Sequence, residues 1–201
     1  YMKITLRAAE GKDTQSLLGI YSYYVKNTAI TFEYDVPSVE EFESRINHTL
    51  QKYPYIIAES DGEAVGYAYA GVFKDREAYE RSVETSIYVK NGLSGNGIGK
   101  KLYSALEELL KMQNICNLYA CIGYPEKEDE YLTKNSVYFH EKLGYRMVGE
   151  FYKCGYKFDR WYNMVWMEKF IGEHIGNQPP VKFFGSIKTE AEKKLAEISA
   201  E

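Results

Sequence analysis

Residues 86–99 hold the densest chemistry in the chain. The apolar run Ile87, Tyr88, Val89 leads into a polar turn at Lys90, Asn91 and Gly92. A second turn, Ser94 to Gly99, follows, in which Gly95, Gly97 and Gly99 alternate with Asn96 and Ile98. Helical spacing takes over near Lys100. A strand that feeds a glycine-rich turn opening a helix leaves backbone N–H groups bare at the positive end of the helix dipole, where a phosphate binds. Two nucleotide loops of this general kind fail on spacing. A Walker loop needs Gly at position 94 and Ser or Thr at 101, which are Ser94 and Lys101. A dinucleotide fingerprint needs a third glycine where Lys100 stands, at the head of a strand-first fold. In the strand just before the turn, Glu84, Ser86 and Tyr88 share one face, and Val83, Thr85, Ile87 and Val89 share the other. A carboxylate among such aromatic neighbours has a raised pKa and can take up a proton; the plainer role for Glu84 is a solvated group on an edge strand.

The remaining pattern supplies a frame for these residues. Residues 2–8 alternate as a strand, and Asp13 caps a helix to about Lys26 with Leu17, Leu18, Ile20, Tyr21, Tyr24 and Val25 inside. An aromatic-bearing loop, 28–36, is closed by Pro37. Ser38 with Glu41 three residues on has the spacing of a capping box, ahead of the apolar stripe Val39, Phe42, Ile46 and Leu50. Strands over 55–60 and 64–73 are joined by Asp61 and Gly62, a tight hairpin pair. After a charged connection, 74–81, comes the strand 82–89. The helix beyond the glycine turn places Ile98, Leu102, Ala105, Leu106, Leu109 and Leu110 on one side. A short strand over 117–123, a helix over 134–143 ended by Gly144, and strands over 145–156 and 161–169 complete an α/β domain, residues 1–171. Pro179 and Pro180 interrupt the extension 172–201, whose last helix, 189–199, shows Ala191, Leu195 and Ile198 at helical spacing.

Composition excludes several classes. The chain has 201 residues, enough to bury a full core, and its net charge of -4 offers no basic surface for nucleic acid or an anionic membrane. No apolar run approaches the roughly 18 residues of a membrane span, and the start lacks the segments of a signal peptide, so a cytoplasmic location is expected. Cys116, Cys121 and Cys154 lack metal-ligand spacing and are expected to be reduced core thiols, with no bound metal.

The glycine turn resembles the pyrophosphate loop of the GNAT acetyltransferases, with Ser94 where that loop carries Gln or Arg, and the order of elements over residues 2–170 is similar to their fold. Within that superfamily the chain resembles the phosphinothricin and methionine sulfone or sulfoximine N-acetyltransferases. The similar strings are Lys74, Arg76, Ala78 and Tyr79; Glu84; Ile122 to Pro125; Ser136, Val137, His140 and Glu141 with Leu143 to Tyr145; and Gly155 to Lys157 with Trp161. The resemblance implies a mixed, mostly antiparallel seven-stranded sheet splayed between its fourth and fifth strands. It also implies acetyl-CoA as cofactor and direct transfer to the amine of a small amino acid or analogue.

Cofactor contacts implied in this way are the loop Ser94 to Lys100 and the strand at Ile87, Tyr88 and Val89, with N–H groups near Tyr88 and Val89 as oxyanion donors. Thr133 stands where the family more often has Asn, and Asn135 is the nearest substitute. Glu84 becomes the general base. His140 lies where many members place the tyrosine that protonates the departing thiolate; a core histidine is the alternative, and Tyr138 a competing donor. The implied acceptor contacts are Arg76, which can fork onto a carboxylate, Tyr79 and Phe32 as walls, and Lys157. Solvated and core roles remain open for Arg76 and Phe32 respectively. Related enzymes pair as homodimers. Two other readings stay open: the same chemistry on a polyamine, an aminoglycoside or a protein N-terminus, of which Arg76 opposes the polycationic acceptors, and a non-catalytic CoA-binding module, which Glu84 and His140 oppose.

Overall fold

The computed structural model describes residues 2–200. One sheet carries seven strands: β1 (Thr5–Ala8), β2 (Tyr55–Ser60), β3 (Glu63–Val72), β4 (Ser82–Val89), β5 (Asn117–Tyr124), β6 (Arg146–Lys157) and β7 (Arg160–Phe170). Their order is β1-β2-β3-β4-β5-β7-β6, and every neighbouring pair is antiparallel except β4 with β5. Helices α1 (Thr14–Asn27) and α2 (Val39–Leu50) bury Leu17, Val25, Phe42 and Ile46 against Tyr55, Ile57 and Tyr67 on one face. Helices α3 (Ile98–Met112), α4 (Asn135–Lys142) and α5 (Phe184–Ala200) contribute Leu102, Leu106, Val137, Ile187 and Leu195 to a larger cluster on the other.

Local chemistry explains most boundaries. Asp61 and Gly62 take the left-handed angles, φ 51° and 80°, that a two-residue hairpin turn needs. The Ser38 hydroxyl accepts the Glu41 N–H at 3.1 Å and starts α2. Asp13 departs from its expected role. Its carboxylate takes the Arg7 guanidinium through two 2.7 Å bonds and the Glu10 N–H at 2.8 Å, so it ties β1 to the turn before α1 instead of capping the helix.

Strand β1 begins at Thr5, not at residue 2, because β2 offers partners only from Glu59 back to Ile56. The last helix begins a turn earlier than its spacing indicates, since Phe184 and Ile187 extend the buried stripe of Ala191, Leu195 and Ile198. Ser199 near its end accepts the Leu6 N–H at 2.8 Å, which covers the free edge of the sheet. The cysteines correct another expectation. Cys116 is buried, but Cys121 and Cys154 are exposed, since Cys121 faces away from the cluster that holds its neighbours Ala120 and Ile122, and β6 is an edge strand.

Candidate active site

The β4–β5 ladder is three pairs long. It runs Ser82 to Asn117, Val83 to Leu118 and Glu84 to Tyr119, after which the strands part. Thr85 makes the last link, its hydroxyl donating to the Tyr119 carbonyl at 3.2 Å. In a strand, successive backbone groups point to opposite sides. The Arg81 carbonyl accepts the Cys116 and Asn117 N–H groups toward β5, whereas the Lys90 N–H donates to the Val65 carbonyl on β3. Odd-numbered residues of β4 therefore turn their backbones to the gap and even-numbered ones to β3. The open N–H groups are those of Ile87 and Val89. This corrects the oxyanion expectation for Tyr88, which is paired with Tyr67 across β3. The Val89 carbonyl takes the Tyr24 hydroxyl.

From this gap a cleft of about 480 Å³ leads past Ile87 and Val89 to Ser94, Gly95, Ile98 and Gly99. Gly95 and Gly97 adopt φ of 87° and 79°, a backbone that side chains rarely tolerate, and they turn the chain into α3. No side chain caps that helix, and its first bond at this end runs from the Lys101 N–H to the Gly97 carbonyl. The N–H groups of Ile98, Gly99 and Lys100 are thus left for a ligand. Asn96 donates to the Leu93 carbonyl at 3.1 Å and shapes the turn, and neither Gly97 nor Lys100 lines the cleft.

The opposite wall is one stripe of α4, Asn135, Tyr138, Phe139 and Lys142, at spacings of three, four and seven. A Cβ on Gly99 would lie 3.0 Å from the Phe139 ring, so glycine permits this close approach of α3 and α4. Asn135 lines the cleft and Thr133 does not; the Thr133 hydroxyl instead accepts the Asn135 N–H at 3.4 Å. Tyr138 is half exposed on this wall.

A second, small cavity of about 60 Å³ sits between the parted strands, lined by Thr85, Tyr88, Tyr103, Cys121, Gly123 and His140. His140 is buried, with Nδ1 2.7 Å from the Ser136 carbonyl and Nε2 3.1 Å from the Tyr103 hydroxyl. A carbonyl only accepts, so the proton resides on Nδ1 and Tyr103 donates to Nε2. Burial lowers His140 to about 4, which makes it a neutral acceptor and not an acid near pH 7. Tyr103 escaped the sequence reading because it adjoins the apolar stripe of α3, where an aromatic signals core. The neighbouring Cys121 keeps an exposed edge, but partial desolvation against the sheet pushes its thiol up to about 12, so it stays protonated.

Glu84 faces away from the α3 side, with its carboxyl raised by partial burial and partly offset by Lys74. Its ladder partner Tyr119 stacks on Phe73 at 4.2 Å, and Tyr79 meets Phe73 edge-on at 6.0 Å. The Arg76 carbonyl accepts the Tyr79 N–H at 2.9 Å, opening the single turn Glu77–Tyr79, and its guanidinium side is exposed. Contacts through Tyr119 and Phe73 thus bring Glu84 and Tyr79 to the same end of the sheet. Phe32 belongs to another wall, against Gly155 and Gly123. Lys157 is not an acceptor contact. Its buried ammonium donates to the carbonyls of Val25, Thr28 and Thr31, each at 2.8 Å, and so fastens the loop that carries Phe32.

Similarity to known proteins agrees with this layout. A family profile described as acetyltransferase (GNAT) domain matches residues 6–166. Phosphinothricin N-acetyltransferase of Streptomyces coelicolor is 31% identical over 172 residues, 83% of this chain and 96% of that one. The L-methionine sulfoximine/L-methionine sulfone acetyltransferase of Pseudomonas aeruginosa is also 31% identical, over 83% of this chain and 94% of its own. Among solved structures, a GNAT superfamily phosphinothricin acetyltransferase from Sinorhizobium meliloti in complex with AcCoA superimposes with a TM-score of 0.82 at 32% identity, covering 91% of this chain and 96% of that one. The split between β4 and β5, the uncapped glycine turn and the profile match over most of the length lead to one assignment: the chain belongs to the GNAT acetyltransferase family.

Proposed function

We propose that the chain binds acetyl-CoA along this cleft and transfers the acetyl group directly to the amine of a small amino acid or analogue, of the phosphinothricin or methionine sulfone/sulfoximine type, with Glu84 as general base. The observation that carries this reading is the end of the β4–β5 ladder at Glu84. One residue closes the paired part of the sheet and opens the gap, so an amine held at the carboxylate lies beside whatever the Ile87 and Val89 N–H groups hold. Acetyl-CoA, when bound, supplies an activated thioester. The chain's own groups do the rest. Bare N–H groups of Ile98 and Gly99 hold diphosphate, and those of Ile87 and Val89 align the acyl arm and its carbonyl oxygen.

Glu84 takes the proton of the attacking amine, helped by the burial that raises its basicity. Tyr138, half exposed on the cleft wall, hands a proton to the departing thiolate, while the buried Tyr103 hydroxyl stays committed to His140. Arg76 forks onto the acceptor carboxylate, and Tyr79 and Phe32 wall its side chain. The reaction is cytoplasmic; among the described residues no helix is long and apolar enough to cross a membrane. The catalytic domain is residues 1–171, and the extension 172–201 carries α5, which packs on α3 and β1. Met147, Val148, Phe151 and Tyr152, apolar or aromatic and exposed on β6, are the face for a second copy.

The test is thiol release from acetyl-CoA with a panel of amines, including L-methionine sulfone and phosphinothricin. Glu84→Gln lowers kcat by roughly 10²- to 10⁴-fold, the range for a lost general base, with acetyl-CoA binding intact by calorimetry. An unchanged kcat removes Glu84 from the mechanism. Turnover of polyamines or aminoglycosides in preference to amino acids overturns the substrate class, and a lack of thiol release with every amine of the panel overturns the activity in favour of a CoA-binding module.

A further inference from the structure

The cleft between β4 and α4 is built for an anion, yet a single charged side chain lines it, that of Lys142. Position on the helix puts it there: with Asn135, Tyr138 and Phe139 it completes the stripe of α4 that faces the cleft. Contact between Phe139 and Gly99, one turn back, fixes that stripe against the start of α3. Other cations near the turn are engaged elsewhere or lie off the lining. Lys90 pairs with Glu63 at 3.0 Å, Lys101 reaches the Ser199 carbonyl at 3.4 Å, and Lys100 does not line the cleft. The turn itself carries neutral Ser94 and Asn96, the latter bonded to Leu93. Lys142 makes no ion pair among the described residues. The helix terminus alone offers about half a unit of positive charge. The CoA phosphates carry several negative ones.

We infer that Lys142 is the cation that neutralises the CoA phosphates in this chain, taking over from the long side chain that the turn lacks at Ser94. The inference rests on the reading of the cleft as the acetyl-CoA site. Calorimetric titration of the full chain with CoA and with 3′-dephospho-CoA, at two salt concentrations, tests it. Lys142→Ala weakens CoA binding about tenfold, the effect of one lost charge-assisted bond, and flattens its salt dependence. Lys142→Arg restores both. Loss of the same factor for 3′-dephospho-CoA places the contact at the diphosphate, and loss for CoA alone places it at the 3′-phosphate; either supports the inference.

Wild-type affinity and salt dependence in Lys142→Ala overturn it, including the case where only Tm shifts, which would mean a lysine that serves the C-terminal end of α4 and no ligand. Failure of the unaltered chain to bind CoA overturns the site itself and is recognised before any variant is measured.

Discussion

Gly155→Ala separates the acceptor wall from the cofactor cleft. Gly155 is buried on β6 opposite Tyr162, and its φ is not in the left-handed range, so alanine meets no backbone strain. Space is the obstacle. A Cβ there would lie 2.5 Å from Cζ and 2.8 Å from Cδ2 of Phe32, and closer still to Cε2. Carbon atoms rest at about 3.5–4.0 Å, so the ring must retreat by about 1 Å. Little room receives it: Cε1 of Phe32 is already at contact distance from the Gly123 position, Tyr162 flanks the ring at 6.5 Å between centroids, and Lys157 pins the carbonyl of the preceding Thr31.

Overpacking of this kind costs about 1–3 kcal/mol. Urea titration of Gly155→Ala is expected to show that loss. Where the ring moves, kcat/KM for the amine falls as the acceptor wall is displaced, while the acetyl-CoA Kd stays unchanged. In a double-mutant cycle, Phe32→Ala absorbs the cost, giving a coupling of about 1–3 kcal/mol. Additive stabilities would refute the clash. An acceptor KM untouched in both single variants would refute the place of Phe32 on the acceptor wall.

Two other outcomes follow from burial and exposure. The folded chain holds His140 at about 4 against an ordinary 6.5, so between those values the unfolded chain binds a proton that the folded one refuses. Its contribution is whole above about pH 6.5 and is lost as pH falls toward 4, a difference of about 3 kcal/mol. Unfolding free energy of the wild type should therefore fall across that window by about that much more than in His140→Gln, and parallel curves would contradict the buried neutral imidazole. On β6, Phe151→Glu should convert a species of twice the chain mass to a single chain in sedimentation velocity; a wild type that sediments as one chain removes the pairing face.

What could be foreseen follows the reach of each interaction. Asp61–Gly62, the Ser38 cap and the alternating glycines are local: a few consecutive residues set their own dihedrals, and the structure repeats the reading. Phe184 and Ile187 extend their helix by the same local rule, hidden only by Gly185 between them. Lys157, Asp13 and Tyr103 are different. A lysine 126 residues from Thr31 in sequence, an aspartate that finds Arg7, and a tyrosine that finds His140 are placed by tertiary partners, which spacing along one element does not contain. Lys142 lies between these cases, since its stripe with Asn135 and Phe139 is periodic but the cleft that gives the stripe meaning is not.

The division of labour on β4 is the part of the site where local period and tertiary arrangement meet. Because side chains and backbone both alternate along a strand, Ile87 and Val89 send side chains to α3 and backbone to the gap, while Glu84, Ser86 and Tyr88 send side chains to the opposite face and backbone to β3. One strand thus serves both substrates, the thioester through the main chain of odd residues and the amine through a side chain of an even one. A slip by one residue would exchange the two sets and destroy both at once. Register is therefore held from outside the site. A Cβ on Gly66 of β3 would lie 3.1 Å from the Tyr88 carbonyl oxygen and 3.2 Å from Ile98, so the strand pair and the first turn of α3 are clasped at a point where any larger residue would force its neighbours apart by a few tenths of an ångström. The helix that offers its N-terminus to phosphate is thereby keyed to the strand that holds the acyl arm, and the distance between phosphate and thioester becomes a property of the core, not of the loop.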